Sequence, residues 1–282
     1  MTGIYTRLIY LLLCFVPGFA VMSCNASKDK GSIPTYVHVD SFKFSALPPS
    51  LKHIATSHQI NSVWAYYNNS PIGVFDLPAD IPVLANGTGI LTLRPGVSVS
   101  GLNNFLATYP FYLSDTSSLI SQPGKTIHYS PTTTCYPSSR CTVIANFDSD
   151  LVTPFKVDAG TKIERVGGTG SVTLNAKDSL SEIGSIAQFA IPLGKDAYIE
   201  FDYKCTIPFS VGLKASLGTL YTKYYLAGIY PSDHWQKFYL SVKDFEAQYQ
   251  ATGYNFYIKT ELPAGQSSGT VLIDNIQLVY FD

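Results

Sequence analysis

The chain has 282 residues, and its 19 basic and 20 acidic side chains give a formal net charge of −1. This balance gives no electrostatic basis for binding nucleic acid or an anionic lipid surface, so nucleic acid is excluded as a main partner. Charged residues make up only 14% of the chain and aromatic residues 13%, which excludes a disordered protein. The length suits two domains of ordinary size or one large β domain, and we expect two.

An apolar segment stands near the amino terminus, at residues 8–16, and Pro17-Gly18 end it. Nine residues are too few for a helix that crosses roughly 30 Å of hydrocarbon. A short apolar segment at this position is typical of a secretory signal peptide. We therefore predict a signal peptide over residues 1–23.

The residues that precede Cys24 resemble the bacterial lipobox, with aliphatic Val21 at −3 and small Ser23 at −1. The resemblance implies cleavage before Cys24, a diacylglyceryl group on its sulfur and an acylated amino group. Each buried CH₂ contributes about 0.8 kcal/mol, so several acyl chains would hold the protein at a membrane. We expect a lipid anchor in the outer membrane that displays the protein at the cell surface, with residues 24–32 as a polar tether. The alternative is an ordinary signal peptide with a cysteine near the cut.

Short strands separated by turns are predicted from residue 33 to residue 113. The clearest unit is a hairpin, with strands at Val63–Tyr67 and Ile72–Leu77 and an asparagine-rich turn at Asn68–Pro71. This half resembles the immunoglobulin-like or PEGA-like β-sandwiches of bacterial envelope proteins. The resemblance implies a small β-sandwich that acts as a spacer or docking surface.

Residues 114–140 are rich in serine, threonine and proline and poor in aliphatic residues. Such a segment has little to bury, so we predict a linker between two domains here. Cys135 and Cys141 stand at its end in a turn-rich stretch, and an exported protein can keep disulfides, so a local bridge between them is predicted. Cys205 lies in an alternating apolar run and is expected to be a buried thiol.

Residues 141–282 again show β-type alternation, and eight or nine strands in about 140 residues suit a two-sheet jelly roll. The predicted strands are Thr142–Phe147, Ser171–Leu174, Ala187–Ile191, Tyr198–Cys205, Phe209–Leu213, Tyr224–Ala227, Gln236–Val242, Tyr254–Lys259 and Val271–Tyr280. A single short helix is predicted at Lys243–Gln250. The whole chain is therefore predicted to be all-β, with a small sandwich followed by a jelly roll.

Three segments of this half resemble the first, a late and the last strand of carbohydrate-binding-module-type jelly rolls, also called galactose-binding-like domains. They are Ala145–Asp148, His234–Leu240 and Val271–Leu278. Many such domains hold a structural calcium, and the matching positions here are Asp148 and Asp274. Asp274 stands in an apolar strand, where a carboxylate without a partner is costly. The alternative is that Asp274 only accepts backbone hydrogen bonds.

Sugar binding requires exposed aromatic faces beside polar groups. Tyrosines cluster around the Gly218 and Gly228 turns near Trp235, and the candidate ligand-binding residues are Tyr224, Tyr225 and Trp235. The alternative is sheet packing, because tyrosine is a favoured strand residue and the chain has 20 of them.

Motifs of catalysis are missing from the sequence, which has no nucleophile elbow, no H-E-x-x-H and no phosphate-binding glycine loop. The first functional hypothesis is therefore a non-catalytic lipoprotein that acts as a binding or assembly subunit and docks on an outer-membrane protein partner. The second is a glycan-binding lipoprotein of a polysaccharide-capture system. A β-rich hydrolase is the third, since paired carboxylates can meet in three dimensions.

Overall fold

The computed structural model describes residues 33–47, 51, 57–100, 105–148 and 154–281. The predicted signal peptide, Cys24 and the whole tether lie outside these residues. The described chain is nearly all β, as predicted. Within these ranges, the helical structure is too short and too polar to cross a membrane.

The larger sheet of the N-terminal half is built around one long strand. Its strands are β3 (Ser62–Tyr67), β4 (Ser70–Asp76), β6 (Thr88–Ser98), β7 (Leu106–Thr108) and β8 (Asp115–Ile120). They follow the order β4-β3-β6-β7, and β8 pairs with the first part of β6. The remaining strands of this half are β1 (Thr35–Val39), β2 (Lys43–Phe44), β5 (Ala79–Val83), β9 (Thr126–His128) and β10 (Thr132–Thr133). The second sheet has the order β5-β1-β9, and a short parallel pair joins β2 to β10.

The predicted hairpin is confirmed as β3 and β4. Its turn is shorter than predicted, because β4 already begins at Ser70. Asn68 and Asn69 form this two-residue turn, with φ of 47° and 66°. Two positive φ values in succession are typical of the type I′ turn, whose twist matches that of the strands, and asparagine tolerates this conformation. The inward side chains of β3, Val63 and Ala65, are buried in the core of this half.

The prediction of a linker at residues 114–140 is corrected by the structure. This segment supplies β8, β9 and β10, which pair with β6, β1 and β2. Leu119 and Thr133 are buried there. Threonine is a good strand former, so a segment with few aliphatic residues can still complete a sheet through backbone hydrogen bonds.

The C-terminal half is a jelly roll of two sheets. The six-stranded sheet consists of β11 (Ser139–Ala145), β13 (Glu164–Val166), β14 (Thr169–Asn175), β16 (Ala197–Cys205), β19 (Ser232–Ser241) and β21 (Ser268–Phe281). Its strand order is β13-β14-β21-β16-β19, with β11 paired to β21. The five-stranded sheet consists of β12 (Phe155–Gly160), β15 (Leu180–Ser185), β17 (Phe209–Leu217), β18 (Leu220–Ile229) and β20 (Gly253–Glu261). Its strand order is β12-β15-β20-β17-β18.

The predicted helix is confirmed as α1 (Lys243–Tyr249). Eight of the nine predicted strands of this half are also found. The prediction at Ala187–Ile191 is wrong, because this segment forms only an isolated bridge between Phe189 and Tyr254. Strands β12, β13 and β15 were not predicted; their residues are mixed with glycines and charged side chains.

The two halves share an aromatic core, which we call the seam. Tyr109, Phe111 and Tyr112 of the N-terminal half pack there against Tyr198 and Tyr239 of the six-stranded sheet. The ring centroids of Tyr109 and Tyr239 lie 5.0 Å apart. The N-terminal half therefore covers part of the outer face of the six-stranded sheet, and residues 34–282 form one compact unit.

Cys135 and Cys141 are free thiols in the structure, which corrects the predicted bridge. Both belong to the seam, where Cys135 is buried and Cys141 packs beside it. Burial, and to a smaller extent the charge of Glu200, raise the pKa of each thiol to about 12. Cys205 is also a free, buried thiol, as predicted.

Candidate functional site

The three aromatic residues predicted to bind a ligand do not form one platform. Tyr224 and Tyr225 are neighbours in β18, so their side chains leave opposite faces of the strand. The Tyr224 ring packs against Phe245 and Tyr249 of α1, with centroid distances of 5.2 and 4.3 Å. Tyr225 lies on the outer face of the five-stranded sheet, and Trp235 lies on β19 of the other sheet. Tyr224 therefore has a packing role, and the other two residues mark two separate sites.

The first site is the outer face of the five-stranded sheet, defined by Asp158, Glu182, Lys223, Tyr225, Tyr257 and Lys259, which we call the open face. The buried Tyr257 stands near its centre, and its register partners on the adjacent strands are Gly184 and Gly212. The Tyr225 ring packs against the Tyr257 ring with a centroid distance of 5.1 Å and an angle of 54° between the ring planes.

Charges on the open face are paired. Lys223 Nζ lies 2.8 Å from an Asp158 carboxylate oxygen and also contacts Glu182. Burial alone would raise the pKa of Asp158, but the hydrogen bond and charge of Lys223 outweigh burial and lower this pKa below its usual value. Lys259 contacts Glu261 at 2.8 Å and lies 5.8 Å from the centre of the Tyr225 ring. The face is therefore polar but close to neutral.

A groove of about 690 Å³ runs along the edge of the open face. Two exposed aromatic rings line it, since Tyr225 is 52% and Tyr230 83% exposed. Ser210, Lys259 and Glu261 supply hydroxyl, ammonium and carboxylate groups beside them. Sequence reasoning singled out the tyrosines but missed Lys223 and Lys259, although their two-residue spacing from Tyr225 and Tyr257 places each pair on one strand face.

The second site is a cleft of about 470 Å³ at the end of the seam, which we call the seam cleft. Residues 57–59 of the N-terminal half form one wall. Asp202, Trp235, Asp274 and Asn275 of the six-stranded sheet form the other. The structure thus brings together two sequence-predicted residues, Trp235 and Asp274, that had been assigned to different roles.

Asp274 is also part of the predicted calcium site. Burial raises the pKa of Asp274, and the charges of Asp148 and Asp202 raise it further. However, Arg165 donates hydrogen bonds to the backbone carbonyls of Phe147 and Asp148. In the described part of the chain, no three acidic, histidine or cysteine side chains are grouped as metal ligands. The residues present therefore fit calcium poorly, because a guanidinium already takes two of the nearby oxygens, and calcium remains a prediction.

Comparisons with known proteins find distant likenesses to solved structures alone. No family model and no curated protein matches the chain. A solved family 29 carbohydrate-binding module matches 50% of this chain and 88% of its own length, with 18% identity and a TM-score of 0.37. A family 29 module from Piromyces equi covers 50% of this chain and 91% of its own, with 14% identity and a TM-score of 0.38. A variant of a family 29 module complexed with cellulohexaose matches 51% of this chain and 93% of its own length, with 18% identity and a TM-score of 0.37.

Proposed function

We propose that this protein is a non-catalytic glycan-binding protein and that the open face is its binding surface. The observation that carries the proposal is the groove in which exposed Tyr225 and Tyr230 stand beside Ser210, Lys259 and Glu261. Aromatic faces stack on the apolar faces of pyranose rings, while the polar groups exchange hydrogen bonds with sugar hydroxyls. The groove volume lies within the roughly 300–1,000 Å³ usual for ligand sites.

The charge of the open face favours a neutral glycan. Lys223 is neutralised by Asp158 and Glu182, and Lys259 is neutralised by Glu261. An acidic polysaccharide would have to compete with these carboxylates for the lysines. A neutral chain needs only stacking on the aromatic rings and hydrogen bonds to its hydroxyls. The paired charges can form such hydrogen bonds without losing their partners.

The lipid anchor predicted at Cys24 completes the proposal. A protein held by acyl chains at the outer membrane and displayed at the cell surface would bring bound polysaccharide to the envelope. The other hypothesis from the sequence, an assembly subunit docked on an outer-membrane protein, remains a prediction. The observation that favours glycan binding over it is the open groove, in which two exposed tyrosine rings stand beside polar side chains.

Affinity electrophoresis tests glycan binding directly. We expect native gels that contain neutral galactomannan, hydroxyethyl cellulose or xylan to retard the protein in at least one case, and gels with polygalacturonate to leave its mobility unchanged. Tyr225→Ala should weaken retardation at least tenfold, because it removes the central stacking ring. The matched control is Tyr36→Ala, which removes a tyrosine of the N-terminal half that is 37% exposed.

Two outcomes would overturn the proposal. One is the absence of retardation by every neutral polysaccharide. The other is retardation that Tyr225→Ala and Tyr36→Ala reduce to the same small extent. Circular dichroism of each variant establishes that it has folded.

A further inference from the structure

We infer that the seam cleft is a second saccharide-binding site, which neither half of the protein could form alone. It uses a different sheet from the open face and different aromatic residues. Either site could therefore exist without the other, and the two can be tested separately.

The walls of the seam cleft are fixed before any ligand arrives. Ser57 donates a hydrogen bond to Asp202 at 2.7 Å, and the side-chain oxygen of Gln59 accepts one from the backbone of Lys237 at 2.8 Å. The backbone N–H of Gln59 also donates to the Tyr239 hydroxyl at 2.9 Å. A preformed cleft spares a ligand the entropy cost of ordering these side chains.

Trp235 supplies a stacking surface at the mouth of the cleft. Along β19, Trp235, Lys237 and Tyr239 alternate onto the same outer face of the sheet. Lys237 and Tyr239 are buried under the N-terminal half, but Trp235 remains 45% exposed because the cover ends beside it. A large apolar ring next to a polar cleft suits the face of a sugar ring.

The wall of the cleft that contains Trp235 also carries hydrogen-bonding side chains. Asn275 has a φ of 51° and donates a hydrogen bond to Asp202 at 2.7 Å. The carboxylate of Asp274 accepts from the backbone N–H of Asn275 at 2.8 Å. A carboxylate can accept about four hydrogen bonds, so Asp274 keeps capacity for ligand hydroxyls.

The charge balance of the cleft selects the ligand class. Its cation, Lys237, lies 3.0 Å from Glu200 and 3.9 Å from Asp202, so it is already paired. Asp274 adds a further carboxylate to the same wall. The site therefore repels anionic sugars such as uronic acids, and it suits the hydroxyl donors of a neutral hexose unit. About 470 Å³ holds a chain end or a short oligosaccharide.

The indole N–H signals in nitrogen–proton spectra provide a specific test. The chain has two tryptophans, and the indole nitrogen of Trp64 is buried, so the Trp64 signal is an internal reference. We expect glucose, galactose, mannose, cellobiose or mannobiose to shift the Trp235 signal saturably while leaving Trp64 in place. Glucuronate should shift neither. A Trp235→Phe variant assigns the two signals.

Two variants separate this inference from the proposed function. Asp274→Asn keeps the side-chain shape but removes an acceptor oxygen and should weaken the effect on Trp235 at least tenfold. Tyr225→Ala should leave that effect unchanged, even if it abolishes retention on polysaccharide gels. The inference is overturned if no neutral sugar at about 10 mM shifts Trp235, if glucuronate shifts it equally, or if Asp274→Asn binds as tightly as the parent. In each of these cases, retention on polysaccharide gels still tests glycan binding at the open face.

Discussion

The buried ion pair of the seam is the residue-scale feature with the largest expected effect on stability. Lys237 and Glu200 lie 3.0 Å apart with side chains only 2% and 5% exposed. Tyr109 and Gln277 also donate hydrogen bonds to Glu200. These contacts satisfy a carboxylate that burial would otherwise penalise heavily.

Removing the lysine of this pair should therefore leave a buried carboxylate without its cation, which destabilises the fold. Lys237→Met is predicted to lower the free energy of unfolding by about 3–5 kcal/mol, because it leaves Glu200 buried without its cation. Urea denaturation measures this loss. The control is Lys162→Met, whose pair with Glu164 at 3.2 Å is largely exposed and should be worth at most about 1 kcal/mol. A loss below 1 kcal/mol for Lys237→Met would show that the pair is hydrated.

The free thiols of Cys135 and Cys141 give a second residue-scale prediction. With pKa values raised by burial to about 12, both remain protonated at pH 8, and thiols react as thiolates. Iodoacetamide should therefore label neither cysteine in the folded protein, and both in denaturant without a reductant. Peptide mass spectrometry reads the result. Labelling that requires a reductant would restore the bridge predicted from the sequence.

Strand alternation determined how much of the C-terminal half could be predicted. Runs such as Tyr198–Cys205 and Phe209–Leu213 are apolar enough to be recognised. Strand β12 has mostly exposed side chains, so its sequence lacks that signal, and only pairing with β15 defines it. The same reason explains why the linker predicted at residues 114–140 was wrong. The strands of that segment form through backbone pairing and bury few side chains.

The two candidate sites were predictable to different degrees. The sequence indicated Tyr225 and Trp235 as candidates. Side chains alternate between the two faces of a strand, so the sequence alone could have shown that adjacent Tyr224 and Tyr225 do not share a face. The meeting of Trp235 with Asp274 could not be predicted, because it depends on the pairing of distant strands and on the cover supplied by residues 57–59.

A bulge between β17 and β18 lies beneath the open face and gives a prediction at the element scale. The register shifts between Val211 and Gly212, and a Cβ added at Gly212 would collide with the backbone oxygen of Tyr224. Gly212→Ala should therefore cost about 1–3 kcal/mol in thermal or urea unfolding. Gly228→Ala is the control, since a Cβ there meets nothing within 4 Å. Equal stability of the two variants would contradict the close approach.

Across the whole molecule, the shared aromatic core should make the two halves unfold together. Phe111 is fully buried in the seam. Phe111→Ala is predicted to cost about 3–5 kcal/mol, and exposed Phe105→Ala less than about 0.5 kcal/mol. Calorimetry should show a single transition for the parent protein. Two separate transitions would mean that the halves are independent domains.

The central claim is that a neutral glycan binds on the open face, opposite the side covered by the N-terminal half. A crystal structure with an oligosaccharide released from a retarding neutral polysaccharide tests it most directly. We predict a sugar ring stacked on Tyr225, with hydroxyls within hydrogen-bond distance of Lys259 or Glu261. A sugar bound only elsewhere on the protein, with the groove beside Tyr225 and Tyr230 left empty, would contradict the claim.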